Sequence, residues 1–239
     1  MSGACGVNLR TQGVVSDQIE LVVLDMAGTT VADDGLVIQA FTAAVGAVGV
    51  AEHGPEFDRM LAYVNETMGQ SKIVVFRALL GGDEERAQSA NAAFEARYGQ
   101  LIQSGQCTPI KGAEATIRAL RAQGRKVAFT TGFGRETQES ILTALGWEHL
   151  ADVALTPADA GRGRPFPDLV LAAVLRTQAT DVRNVAVVGD TPSDVLTGLR
   201  AGASIVAGVL TGASDKHELE LAGATHVLNS VVELPGILH

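Results

Sequence analysis

Asp25 is the first residue along the chain whose type and position could serve chemistry. It ends the apolar run LVVLD and precedes a glycine-containing turn, MAGTT. A carboxylate there, with backbone amides of the turn turned toward an anion, could act as a nucleophile or as a metal ligand. A carboxylate that merely caps a turn or a helix would suit the same position. Taken alone, Asp25 leaves a catalytic and a structural interpretation open.

Two further segments carry groups that could hold phosphate oxygens. The run VAFTTG ends in Thr130, Thr131 and Gly132, where a hydroxyl and free backbone N–H groups could donate hydrogen bonds to an anion. Arg164 lies in the proline-bounded loop GRGRPFPD, which would hold a guanidinium beside a phosphoryl group. The structural alternatives are a tight strand-to-helix turn for the first segment and an ordinary exposed arginine for the second.

The run GDTPSD places Asp190 and Asp194 four residues apart after another apolar segment. Mg²⁺ prefers oxygen ligands in octahedral geometry, so two carboxylates at the end of one strand suit this ion. The alternative is a helix N-cap followed by an acidic residue on the helix surface.

Short apolar strands alternating with helices are the elements that must position these residues. Four runs are predicted strands: LVVLD from Leu21, KVAFTTG from Lys126, VAVVGD from Val185 and, more weakly, SIVAGVL from Ser204. Helical periodicity follows at residues 113–123, 135–145, 167–176 and 193–201. The alternation predicts an α/β fold with a doubly wound parallel sheet, whose strands all end at one edge. We therefore expect Asp25, Thr130 and Asp190 to face one crevice.

The segment from residue 35 to residue 107 interrupts this alternation. It has several stretches of helical periodicity and no convincing strand, so we predict an all-helical domain inserted into the core. The α/β core would then comprise residues 20–34 and 108–239. Residues 1–19, which are small and polar, are predicted to form a loose leader without the apolar block of a secretory signal.

The composition limits the class of protein and of partner. The 239 residues are 46% hydrophobic and 19% charged, unlike a disordered, collagen-like or low-complexity chain. A formal net charge of −9 disfavours nucleic acid and anionic membranes as partners. Cys5 and Cys107 cannot make a disulfide framework, and no apolar run is long enough to span a membrane. We predict a cytoplasmic protein.

The four segments are similar, in order and spacing, to the motifs of the haloacid dehalogenase superfamily. The resemblance runs from about residue 20 to the end of the chain, and the helical insertion matches the position of that superfamily's first type of mobile cap. It implies that Asp25 attacks phosphorus to form an aspartyl-phosphate, while Mg²⁺, Thr130 and Arg164 offset the charge of the transferring group.

The same resemblance implies the ligands of the Mg²⁺ ion. Asp25, Asp190 and the backbone carbonyl of Ala27 would supply the protein's share of the metal shell. Asp194 would bind the ion directly or orient a water molecule bound to it.

Ala27 departs from the pattern of most phosphatases of this superfamily. They carry a second Asp at this position, a general acid and base that typically contributes about 10²- to 10⁴-fold. The motif DMAGTT instead resembles that of the phosphonoacetaldehyde hydrolases, in which a cap lysine does the activating. In MGQSKIVVFRALL, Lys72 stands at the Schiff-base position of those enzymes, and Met68 and Gly69 also match.

An imine of Lys72 with a substrate aldehyde would be an electron sink, so a carbon–phosphorus bond could break without protonation of an alkoxide. The amine must be neutral to attack, and a free lysine has a pKa of about 10.4, so closure of the cap must desolvate it. Alternatively, Lys72 binds an anionic substrate or begins a solvent-facing helix.

Two polar residues of the phosphonoacetaldehyde hydrolases are absent from this chain. Val75 replaces a histidine three residues after the lysine, and a cysteine near the cap corresponds to about Leu36. These losses leave no obvious proton shuttle beside Lys72 and predict a related but different substrate.

Two alternatives to a phosphonatase-like hydrolase stay open at this point. One is a Mg²⁺-dependent phosphomonoesterase acting on a small metabolite such as phosphoglycolate. The other is a non-enzymatic receiver-like domain, which also carries a phosphorylatable Asp at a strand end but needs neither the helical insertion nor Arg164. For the enzyme we expect a small phosphorylated or phosphonate metabolite as partner and a possible homodimer.

Overall fold

A parallel sheet forms the centre of the molecule in the computed structural model, which describes residues 18–238. Its six strands among these residues are β1 (Leu21–Asp25), β2 (Lys126–Thr130), β3 (Val153–Leu155), β4 (Val185–Gly189), β5 (Ile205–Val209) and β6 (His226–Leu228). They lie in the order β3-β2-β1-β4-β5-β6, and all neighbours are parallel. The predicted doubly wound α/β fold is therefore confirmed.

The register of the central strands brings the predicted chemistry to one edge. β1 is buried along its whole length, as expected for the centre of a sheet covered on both faces. Asp25 is paired with Thr130 of β2, and on the other side Leu24 is paired with Val188 of β4. The strand order changes direction between β1 and β4, and in open α/β sheets ligands bind at such a switch point.

The four strands predicted from sequence are present, and the sheet extends further than the sequence indicated. β3 and β6 were not predicted, because each is only three residues long and partly exposed. Runs this short carry too little alternation to distinguish them from loops.

Helices cover the sheet and form the insertion. Between β1 and β2 lie α1 (Leu36–Ala47), α2 (Pro55–Glu66), α3 (Lys72–Leu79), α4 (Glu84–Gln103) and α5 (Ala113–Ala122). The later ones are α6 (Arg135–Leu145), α7 (Pro157–Ala160), α8 (Asp168–Thr177), α9 (Pro192–Ala201) and α10 (Lys216–Leu221). Short 3-10 helices occupy Val182–Asn184 and Val231–Ile237. None of the described helices is both long and apolar enough to cross a membrane.

Two chain segments that pair with one another connect helices α1 to α4 to the sheet. The amide of Ala32 donates to the carbonyl of Thr108 at 2.9 Å, and that of Ile110 donates to the carbonyl of Thr30 at 2.9 Å. The exit and the return of the insertion thus lie side by side, close to the predicted limits of residues 35 and 107. Its division from the core as a separate domain stays a prediction.

The predicted leader falls mostly outside the described residues, which begin at residue 18. Its last residue, Ile19, is only 3% exposed and belongs to the hydrophobic core. The packed part of the chain therefore begins slightly before residue 20.

Aromatic side chains join the inserted helices to one another and to the core. Phe41 of α1 lies 6.1 Å from Phe57 and 6.2 Å from Phe76 between ring centroids. Tyr98 of α4 lies 4.6 Å from Phe133, which follows β2. These side chains belong to the same apolar cluster as the sheet residues, so insertion and core share one continuous hydrophobic interior.

Replacing Phe41, which is 2% exposed, tests this continuity. Phe41→Ala should lower the free energy of unfolding by about 3–5 kcal/mol, because it removes a buried ring and leaves a cavity. The single tryptophan, Trp147, is buried in the core against Phe129 and reports on the core alone. We expect urea transitions followed by Trp147 fluorescence and by circular dichroism to shift together. A shift in circular dichroism alone would contradict a shared interior, and Val74→Ala, at an exposed position, is the control.

Candidate active site

Three carboxylates form the floor of a cleft at the carboxyl edge of the sheet. Asp25 ends β1, Asp190 follows β4, and Asp194 lies in the first turn of α9. One oxygen from each lies within 4.8 Å of the others, and all three side chains are buried. The common edge of parallel strands predicted that Asp25 and Asp190 would face one crevice, and the resemblance placed Asp194 with them.

Arg164 binds two of these carboxylates directly. Its Nη2 lies 2.6 Å from Oδ1 of Asp25, and its Nη1 lies 2.8 Å from Oδ1 of Asp194. Nη2 also donates to the hydroxyl of Thr130 at 3.1 Å. With 5% exposure, Arg164 is not the ordinary surface arginine of the alternative interpretation.

The charges of the floor do not balance within the protein. Burial raises the pKa of Asp25 to about 7, with Arg164 opposing the shift and Asp194 adding to it. Burial and the charge of Asp25 likewise raise the pKa of Asp190. Three carboxylates share one arginine, and a divalent cation, which takes oxygen ligands, would supply the missing positive charge. The donor set therefore fits Mg²⁺.

The loop after β1 leaves room for this arrangement. Gly28 has φ +85°, and a Cβ there would lie 2.4 Å from Oδ2 of Asp190, so only glycine fits. Ala27 also lines the cleft and brings no acidic group to it.

Two contacts that hold Asp190 were not predicted from sequence. The hydroxyl of Thr29 donates to Oδ1 of Asp190 at 3.3 Å, and the backbone amide of Ala213 donates to Oδ2 at 2.7 Å. Ala213 follows β5, and its place beside Asp190 depends on the packing of two neighbouring strand-end loops. No local sequence pattern marks it.

The inserted helices contribute the opposite wall of the cleft. Met68, Gly69 and Lys72 line it, facing Thr131 and Gly132 of the loop after β2. The amide of Lys72 donates to the carbonyl of Gly132 at 3.2 Å. A Cβ on Gly132 would lie 2.4 Å from the carbonyl oxygen of Gln70, so glycine permits this close approach. The insertion therefore lies directly against the site, as in a closed cap.

Lys72 has its amino group among aromatic rings. Nζ lies 5.3 Å from the centroid of Phe133 and 5.9 Å from that of Phe94. Burial lowers the pKa of Lys72 to about 8, while the charge of Asp33 opposes the shift. A substantial fraction of the amine is therefore neutral near physiological pH, which a nucleophilic lysine requires.

The sequence assigned eleven residues to the site, with Asp25 in two roles. The structure brings all eleven to one region. Nine of the residues line the cleft, and Thr130 and Asp194 contact it through Arg164. Sequence reasoning missed Asp33 and Phe133, which also line it. The acidic pair before α1, Asp33 and Asp34, was the available signal for the first.

The two apolar replacements are both buried, and one of them shares a cavity with Lys72. Val75 is 6% exposed and borders a small apolar cavity that Lys72 also borders. Leu36 is 1% exposed and begins α1. Neither supplies a group that can exchange a proton.

Fold and site together define an α/β enzyme with an acidic site at the sheet's switch point and a helical insertion above it. The chain belongs to the haloacid dehalogenase-like hydrolase family, whose model matches residues 19–202. The receiver-like alternative disagrees with membership of this family of hydrolases.

Individual relatives agree with the family. A phosphonoacetaldehyde hydrolase from Bacillus cytotoxicus is 31% identical over 217 residues, covering 83% of this chain and 78% of the relative. One from Bacteroides fragilis is 27% identical and covers 92% and 96%. A crystal structure of a phosphonoacetaldehyde hydrolase-like protein from Oleispira antarctica has a TM-score of 0.78 at 25% identity, covering 92% of this chain and 91% of that one.

Magnesium ions should raise the midpoint of thermal unfolding in a saturable manner. A ligand bound only by the folded state stabilises it, by about 2.7 kcal/mol at 100 times its dissociation constant. Asp190→Asn removes one charge from the floor and should diminish the shift, while Asp58→Asn, at an exposed position on α2, should keep it. An equal shift in Asp190→Asn, or none in the wild type, would argue against this ion site.

Proposed function

We propose that this enzyme cleaves the carbon–phosphorus bond of a small, carbonyl-bearing phosphonate, with Asp25 as nucleophile and Lys72 as the residue that forms an imine. The observation that carries the proposal is the position of Lys72, which lines the same cleft as Asp25 with a desolvated amino group. The similarity to phosphonoacetaldehyde hydrolases supports it.

The first step is the reaction of Lys72 with the carbonyl group of the substrate. The neutral amine forms a C–N bond, and loss of water leaves a protonated imine. This cation can accept the electron pair of the adjacent carbon–phosphorus bond. Such an electron sink removes the need for an acid at residue 27, which agrees with Ala27.

In the second step Asp25 attacks phosphorus. One carboxylate oxygen forms the P–O bond as the P–C bond breaks, and the electron pair of that bond moves onto the imine to give an enamine. Water then hydrolyses the aspartyl-phosphate. Protonation and hydrolysis of the enamine release the carbonyl product and return Lys72.

The groups around Asp25 would bind and orient the phosphoryl oxygens. Arg164, which holds Asp25 at 2.6 Å, would donate to them, as would the hydroxyl of Thr130 and the loop of Thr131 and Gly132. A Mg²⁺ ion at Asp25, Asp190, Asp194 and the carbonyl of Ala27 would supply further positive charge beside these oxygens.

We expect the substrate to be a small carbonyl-bearing phosphonate, of the same chemical class as phosphonoacetaldehyde. Val75, which borders the same apolar cavity as Lys72, and Leu36 carry only apolar side chains. The net charge of −9 favours a small-molecule partner over nucleic acid. A cytoplasmic location and a homodimer stay predictions.

Borohydride trapping tests the imine. Incubation with phosphonoacetaldehyde and borohydride should attach the substrate carbon chain to Lys72, detected by peptide mass spectrometry. The labelling rate should rise with pH through about 8, because burial lowers the pKa of Lys72 to about 8 and only the neutral amine attacks. Lys72→Arg keeps the charge but cannot form the imine, and the exposed Lys111 serves as an internal control. Absence of label on Lys72 would exclude the imine.

Asp25→Asn separates the two steps. Turnover should fall by about 10⁴-fold or more, since the nucleophile is lost. Trapping of Lys72 should persist, because imine formation does not use Asp25. The same turnover assay tests the alternative of a phosphomonoesterase. If the enzyme is one, Lys72→Ala should hydrolyse phosphate esters as fast as the wild type does. Residual phosphonate turnover near the wild-type rate in Asp25→Asn would contradict the nucleophile.

A further inference from the structure

Asp33 is a carboxylate of the cleft that the mechanism above does not use. It lies between β1 and α1, where the chain leaves the sheet for the inserted helices. Its side chain lines the cleft together with Asp25 and Lys72. Its Oδ1 accepts a hydrogen bond from the amide of Val37 at 3.0 Å, which fixes the carboxylate at the start of α1.

The other two carboxylates that line the cleft, Asp25 and Asp190, belong to the floor and already have partners. Asp25 pairs with Arg164 at 2.6 Å, and Asp190 accepts from the amide of Ala213 at 2.7 Å. Asp33 is the one carboxylate among the described lining residues that lies outside this floor. Of all charged groups, Asp33 acts most strongly on Lys72.

The surroundings of Asp33 and Lys72 bring the pKa values of these two side chains closer together. Burial raises the pKa of Asp33, whereas burial lowers that of Lys72. In water a carboxyl and an amine differ by about six pKa units, so a proton would stay on the amine. In the cleft this difference is smaller, and transfer from Lys72 to Asp33 becomes easier.

Imine formation needs such a transfer twice. The ammonium of Lys72 must lose a proton before it attacks, and the hydroxyl of the resulting carbinolamine must gain one before it leaves as water. Ala27, Val75 and Leu36 offer no group for either transfer. Asp33 is the carboxylate of this cleft, among the described lining residues, that lies outside the floor.

We infer that Asp33 carries the proton between the two stages of imine formation at Lys72, an inference that rests on the proposed function. The Asp33 carboxylate takes a proton from the Lys72 ammonium, and the freed amine forms the C–N bond with the substrate carbonyl. A proton passes from the nitrogen to the carbonyl oxygen, giving a neutral carbinolamine. Asp33 then protonates the hydroxyl, the C–O bond breaks, and water leaves. Asp33 ends as a carboxylate beside a cationic imine, so protons and charge balance.

The structural alternative is that Asp33 serves only the N-terminus of α1. Asparagine is as good as aspartate in this role, because its side-chain oxygen accepts the same amide hydrogen bond. Asp33→Asn therefore keeps the contact with Val37 and removes only the charge and the exchangeable proton. Asp34→Asn is a matched control, since Asp34 is the next residue, is exposed and does not line the cleft.

The first measurement is the rate of borohydride-trappable imine formation with phosphonoacetaldehyde. Asp33→Asn should slow it by about 10²- to 10⁴-fold, the usual range for a lost acid–base group, and Asp34→Asn should leave it unchanged. Trapping by Asp33→Asn at the wild-type rate would overturn the inference. Equal slowing in both variants would also overturn it, because a disturbed α1 would then be the cause.

The second measurement is the pH profile of Lys72 acylation by a small amine-reactive ester. The titratable and charged groups that face Asp33 are Lys72, Asp34 and Tyr98, with Asp25 and Arg164 on the floor. The negative charge of Asp33 opposes the lowering of the pKa of Lys72, so Asp33→Asn should move the profile to lower pH. Lys72 would then be more often neutral and yet form the imine more slowly. An unmoved profile would overturn the inference.

The two proposals fail in different ways. If the wild type shows no trapped imine at Lys72, the proposed function is wrong and the proton role of Asp33 is wrong with it. If the wild type is trapped and Asp33→Asn is trapped equally fast, the proposed function survives and only the role of Asp33 is rejected.

Discussion

A single buried arginine holds the site together. Arg164 reaches Asp25 at the end of β1, Asp194 at the start of α9 and the hydroxyl of Thr130 at the end of β2. Removing charges from water is costly, and a buried pair is tolerated only when each charge finds a close, hydrogen-bonded partner. The planar fork of arginine presents donors to two carboxylates in a fixed geometry, whereas a lysine offers one compact point charge.

The same arginine links the floor to the inserted helices. Its Nη1 lies 3.4 Å from the carbonyl oxygen of Gly69, beside the backbone contact between Lys72 and Gly132. These contacts hold the insertion against the sheet, and in this arrangement Lys72 is buried. Opening the cleft would return Lys72 to water and raise its pKa toward the ordinary value. The lowered pKa of Lys72 therefore depends on the packing of the insertion against the sheet.

The parts of the site that sequence could predict are those that follow a general rule of the fold. Asp25, Thr130 and Asp190 each stand at the end of an apolar strand. Because the strands of a parallel sheet end at a common edge, recognising these short apolar runs was sufficient to predict that the three residues lie together. β3 and β6 were missed because three partly exposed residues carry no clear pattern. Arg164 was assigned to a phosphoryl group, but its pairing with two carboxylates depends on where a loop packs. No pattern in the sequence shows that.

Asp33 is another residue whose place in the site could not be predicted from the local sequence. It lies 39 positions before Lys72, and the two line the same cleft only because α1 and α2 return the chain to the edge of the sheet. Lys72 borders the polar cleft that Asp33 lines and also an apolar cavity lined by Val75, Phe76 and Phe94. The apolar side keeps water from the amine but can exchange no proton with it. In the proposed mechanism a proton can therefore reach the amine only from the cleft, and among the described lining residues the carboxylate outside the floor is Asp33.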